Sequence, residues 1–127
     1  MKTFYATLAL AGLAALVGCS SDEAAGGLKL SMLQVADQTL HRGETNKVAL
    51  TVARSNFDAA IEVEFRNLPD GVEVVENGPI PAGDNVRSYT LVASDDADLV
   101  EDHRAEVVVK GPRSLETKQA FDITVKE

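Results

Sequence analysis

Cysteine occurs once in this 127-residue sequence, tryptophan not at all, and aromatic side chains make up only 5% of it. A single Cys excludes an internal disulfide, so stability has to come from packing. The two His residues, His41 and His103, are too few for a three-His zinc site, and no Cys-His pair is available once Cys19 is committed elsewhere. Basic residues are also in deficit, 12 against 20 acidic, for a formal charge of −8. Phosphate binding needs clustered Lys and Arg to displace counterions, so no nucleic acid is expected as a partner. What is present is a 45% hydrophobic fraction, enough for a packed core, in a length that suits one ordinary domain.

The long apolar run is confined to the start. Met1 and Lys2 are followed by Phe4 to Val17, interrupted only by Tyr5 and Thr7, which is the pattern of a signal peptide. As a helix this stretch spans roughly 21 Å, short of the roughly 30 Å of a bilayer's hydrocarbon core. It is followed by Leu16-Val17-Gly18-Cys19, which resembles the bacterial lipobox. That resemblance implies that the Cys19 thiol takes a diacylglyceryl group and that Cys19 becomes the new N-terminus. A thiolate is a good nucleophile for the acceptor step, and small neighbours leave the bond before it accessible to a peptidase.

The expected organisation is therefore a signal peptide over 1–18, a lipidated Cys and flexible tether over 19–27, and one domain over 28–127. Ser20 to Gly27 is small, polar and Gly-terminated, as a linker is, with a reach of at most about 28 Å. Removing 1–18 removes Lys2 and no acid, which takes the formal charge from −8 to −9. Such a surface is repelled by anionic head groups, so the acyl chains, at about 0.8 kcal/mol per buried CH₂, have to supply the attachment. Ser20 rather than Asp after the Cys resembles the signal for export to the outer membrane. The expected location is the cell envelope, on that membrane.

From Leu28 onward the apolar residues alternate at period two. Val48, Leu50 and Val52 form one such set, Ile61, Val63 and Phe65 another, and Tyr89 and Leu91 a third; Ala105, Val107 and Val109, then Phe121, Ile123 and Val125, complete the pattern. Turn signals at Arg42-Gly43, Asp70-Gly71, Asn77-Gly78-Pro79, Pro81-Ala82-Gly83-Asp84 and Gly111-Pro112 separate them. The reading is all-β: an antiparallel sandwich of about seven strands with Greek-key connections, with Phe65, Tyr89 and Phe121 as its large inward residues.

The order of motifs, Arg42-Gly43-Glu44, Val48 to Arg54, Asn56-Phe57-Asp58, Leu68-Pro69-Asp70-Gly71-Val72 and Ile80-Pro81-Ala82-Gly83, resembles the immunoglobulin-like repeats of secreted and surface proteins of myxobacteria and planctomycetes. The resemblance implies an immunoglobulin-like domain, borne on a lipoprotein, that contacts an envelope or extracellular protein. Leu68, Pro69, Gly71 and Val72 read as a structural turn, with Pro69 fixing φ and Gly71 allowing a positive one. Similar domains have a Pro-, Gly- and Tyr-containing corner where this chain has Ser94 to His103, so a tyrosine corner is not expected.

Asp95, Asp96, Asp98, Glu101 and Asp102 are the one group with metal-ligand potential, and their hard oxygens suit Ca²⁺. They lack the Gly and terminal Glu of an EF-hand, and a solvated acidic loop is the expected role. No Ser lies in a Gly-x-Ser-x-Gly elbow, and Glu62 and Glu64 fall on the wet face of a strand, so no catalytic residue is assigned. Inward aromatics leave little for a sugar platform. The expected function is a noncatalytic, lipid-anchored interaction, adhesion or structural module; the alternative is a Ca²⁺-dependent ligand-binding module, carbohydrate included, using 95–102.

Overall fold

A computed structural model describes residues 19–76 and 78–127; the expected signal segment 1–18, with Leu16 to Gly18 of the lipobox, and Asn77 of the expected Asn77-Gly78-Pro79 turn lie outside the described residues. The described residues form nine strands: β1 (Cys19–Ala24), β2 (Leu28–Leu33), β3 (Gln38–His41), β4 (Thr45–Ser55), β5 (Glu62–Arg66), β6 (Val72–Val74), β7 (Val86–Ala93), β8 (Val100–Lys110) and β9 (Glu116–Lys126). They make a five-stranded sheet, β1-β2-β4-β7-β6, and a four-stranded one, β3-β9-β8-β5. Without β1 and β3, this order is the four-over-three arrangement of the immunoglobulin sandwich. The fold is all-β and immunoglobulin-like.

Period-two alternation produces the layers because it gives each strand one dry and one wet side. Val48, Leu50 and Val52 of β4 are buried while Ala49 and Ala53 are exposed; Phe121, Ile123 and Val125 of β9 repeat the pattern facing them. Tyr89 and Phe121 are buried at the centre, but Phe65 is only half-buried, because β5 is the outermost strand of its sheet. Its ring still meets Tyr89 edge-on at 5.6 Å and Phe121 at 6.3 Å.

To the seven strands of the four-over-three arrangement the described residues add β1 and β3, and β3 runs parallel to β9 while the other strand pairs are antiparallel. The tether needs correction, because Cys19–Ala24 pairs residue for residue with β2, from Cys19 opposite Leu33 to Ala24 opposite Leu28. Gly26 and Gly27, read as the end of a linker, instead close a hairpin with φ of +88° and +77°, backbone angles that glycine adopts without strain. Asp22 then latches this hairpin across the sandwich, its Oδ2 accepting from the Glu116 N–H at 3.0 Å.

The turn at Leu68 to Val72 joins the two sheets. Pro69 is buried, its carbonyl accepts from the Val72 N–H at 3.0 Å, and Gly71 between them has φ of +88°. The Gly71 carbonyl accepts from Ser94 at 2.9 Å and the Asp70 carbonyl from Asp98 at 3.1 Å, which ties the turn to the corner leading into β8. Among the described residues Arg42 ties that corner, its Nε donating to the Ala97 carbonyl at 2.8 Å.

Candidate functional site

Cys19 is the first residue of β1 and is exposed. Its outward phase is shared by Ser21 and Glu23, whereas Ser20, Asp22 and Ala24 turn toward the interior. Beside Cys19 lies a shallow groove of about 200 Å³, lined by Ser31, Met32, Leu33, Thr51, Val52 and Ala53. Leu33, opposite Cys19 in β2, is 54% exposed, and Val86, paired with Thr51 farther across the sheet, is 55% exposed. The register thus places Cys19, Leu33, Thr51 and Val86 along one row of the outer face.

That face carries little charge. Its outward strand positions are mostly Ser, Thr, Ala and Val, and the charged ones are Glu23, Lys29, Lys47 and Glu73. Glu23 lies directly opposite Lys29, so two of these four offset each other. The outer face of the four-stranded sheet is the reverse. Glu62 faces Lys110, Arg66 faces Glu106, and Arg104 faces Asp122. Ion pairs join Arg66 to Glu64 at 3.1 Å, Arg104 to Asp122 at 3.5 Å, Lys118 to Glu106 and Lys110 to Glu64 at 3.7 Å. Hydrogen bonding and charge from Arg66, with help from Lys110, hold the Glu64 carboxyl below its ordinary range.

A second concavity opens where both sheets end. β5 and β6 are the last strands of their sheets, and between them a groove of about 360 Å³ is lined by Val63, Phe65, Leu68, Val72, Val74 and Tyr89, with Glu64 and Glu73 at its rim. Among the described residues the outer edges of β5 and β6 pair with no further strand, apart from a bridge of Ile61 to Ile80 just before β5, and strand edges beside an apolar trough can accept an extended segment of another chain by main-chain hydrogen bonding. Periodicity marks Val63, Phe65 and Tyr89 as inward; which edges stay open is a matter of sheet order, which periodicity does not carry.

The acidic loop is not assembled into a site. Asp96 accepts from the Ser94 hydroxyl at 2.8 Å, Asp95 lies toward Gly43, and the Asp102 N–H, at a residue with φ of +52°, donates to Thr124 at 3.1 Å. Glu101 and Asp102 lie at a register shift in β8 between Val100 and His103. Among the described residues no three His, Cys, Asp or Glu side chains come together in a way that could hold a metal ion. Asp95, Asp96, Asp98, Glu101 and Asp102 contribute no such group. The histidines are engaged by backbone: His41 Nδ1 lies 2.9 Å from the Glu127 carbonyl and His103 Nε2 lies 2.8 Å from that of Asn67. Among the described residues no helix is long and apolar enough to cross a membrane.

No family model matches the chain, and no curated protein matches it. Among solved structures it is similar to the titin M3 domain, at 13% identity over 74% of this chain and 92% of that one, with a TM-score of 0.43. It is also similar to a chimeric titin Z1Z2 functionalised with an exogenous peptide from decorin, at 12% identity over 73% and 89%, with a TM-score of 0.44. The fold assignment rests on the strand order itself.

Proposed function

We propose that this chain is a noncatalytic lipoprotein of the cell envelope, held on the outer membrane by acyl chains on Cys19, whose immunoglobulin-like domain serves as a protein-interaction or structural module. One observation supports the reading above the rest: the chain's single cysteine is exposed at the head of the folded domain, directly after a lipobox-like Leu-Val-Gly. The interaction role draws on the β5–β6 groove, where an extended apolar segment of a partner would extend a sheet and seat alternate side chains against Val63, Phe65 and Val74. The ring contacts of both histidines are to backbone oxygens, of Glu127 for His41 and of Asn67 for His103.

The variant Cys19→Ser separates anchor from fold. Serine has no thiol to accept the lipid, and the acidic domain has no basic patch to replace it. The variant domain, freed of its signal segment, should keep a β-rich circular dichroism spectrum and lose stable attachment to membranes. Attachment as strong as that of the wild type would sink the reading.

A further inference from the structure

We propose that in the anchored protein the outer face of the five-stranded sheet lies flat on the bilayer, with Leu33, Thr51 and Val86 as the row of contact beside Cys19. The inference rests on lipid attachment at Cys19 and adds an orientation to it. Three features of the molecule lead there. The first is the loss of the tether: with Cys19 already in β1, no spacer separates the acylated residue from the sheet. The second is where on the sheet Cys19 sits. It is level with Thr51, in the second half of β4, so the end of the sandwich marked by Thr45 lies roughly 20 Å away at strand rise. An anchor so placed brings the flank and face of the sheet to the membrane before that end, and the outward phase of Cys19 selects the face.

The third feature is charge. The chain from Cys19 on has a formal charge of −9, because removing 1–18 from the −8 of the whole removes Lys2. An anionic bilayer repels most of such a surface. The strand positions of this face, with Glu23 and Glu73 against Lys29 and Lys47, sum to zero, and Glu76, whose carboxylate accepts from the outward Thr90, leaves it a single negative charge, so it meets less repulsion from lipid than the rest of the surface. Leu33 and Val86, both more than half exposed, then enter the head-group region next to the acyl chains, and the groove between Cys19 and Ala53 takes up the adjoining glyceryl moiety. The opposite face, where Glu64, Arg66, Arg104, Glu106, Lys110, Lys118 and Asp122 are in ion pairs, turns to water.

Depth-dependent quenching tests the orientation. The full chain, processed and acylated, is placed in vesicles of phosphatidylethanolamine and phosphatidylglycerol containing doxyl-labelled lipid. Cys19 is consumed as a thioether, so one added cysteine at a time accepts a fluorophore: Ala53→Cys or Ser88→Cys on the neutral face, Lys118→Cys or Thr124→Cys on the charged one. Labels at 53 and 88 should be quenched several-fold more than those at 118 and 124, and adding Leu33→Glu with Val86→Glu should erase the difference while acylation persists. Equal quenching on both faces of an acylated protein would overturn the orientation and leave the anchor standing. Shielding of labels 53 and 88 that disappears on dilution in the membrane, without doxyl quenching, would overturn it in favour of a second copy of the chain. Recovery of an unmodified Cys19 would instead overturn the anchoring reading and this inference with it.

Discussion

The two outer faces of the sandwich have the same backbone geometry and opposite chemistry. On the four-stranded side, Glu and Lys or Arg alternate across neighbouring strands closely enough that their stems roof over Val108, an outward residue flanked by Glu64 and Lys118 that is 0% exposed. On the five-stranded side the corresponding positions are Ala49, Thr51, Ala53 and Ser88, too short to cover anything, and Leu33 and Val86 stand open. A sheet face can thus be finished by its own side chains or left for something else to cover. Here the finished face is the one away from Cys19.

The largest effect that would disturb this arrangement is expected at Gly71, where the neutral sheet is joined to the corner that starts β8. A β carbon there would lie 2.5 Å from the Ala97 Cα, on a backbone with φ of +88°. Gly71→Val should cost about 3–5 kcal/mol, from the strained φ of a β-branched residue plus the backbone overlap. An unchanged melting temperature would show that the sheets are not joined there.

Next comes the direct comparison of the two faces. Val108→Ala should destabilise by about 2 kcal/mol through lost burial under its charged roof, whereas Val86→Ala should stay within about 0.5 kcal/mol. Equal effects in urea titrations would mean that the charged face does not cover its valine.

A smaller effect is expected beneath the neutral face. Tyr89 is buried, and its hydroxyl donates to the Gly78 carbonyl at 2.7 Å. Tyr89→Phe should cost about 1 kcal/mol. Burial raises the phenol above its ordinary range, and Arg87 opposes this only in part. A group with a raised folded-state pKa supports the fold fully below its ordinary value, near 10, and loses that support as pH rises through the folded one. The wild type should therefore lose stability above about pH 10 more steeply than the Phe variant. The two curves running parallel would contradict the burial.

The smallest effect belongs to an exposed pair on the charged face. Because Arg66 lowers the Glu64 pKa, the contribution of Glu64 is present at neutral pH and lost as pH falls through that lowered value. Glu64→Gln should slightly flatten the fall in melting temperature on acidification, and added salt should remove the difference between the two proteins.

Much of the sandwich was legible because β4, β5, β8 and β9 each expose one side, and alternation reports that directly. Strand β1 was not, since Ser20 to Ala24 has neither the β-branched nor the aromatic residues that mark strands; it is ordered by β2 and by the Asp22 latch rather than by its own propensity. Strand β3 is four residues long, and its partner β9 is far along the chain. The acids at 95–102 are split between the corner before β8 and its irregular start, which a run of acids in sequence does not reveal. What was legible of Cys19 from its neighbours alone was the lipobox resemblance on which the lipid proposal rests. That it stands on a sheet face low in charge was not, since the face draws on five segments whose adjacency exists only in the fold.

Mass spectrometry of the chain extracted from membranes shows whether the folded domain hangs from a lipid on Cys19. The expected N-terminal peptide begins at Cys19 and carries added acyl mass. A chain found in the soluble fraction with an unmodified Cys19 thiol would contradict it.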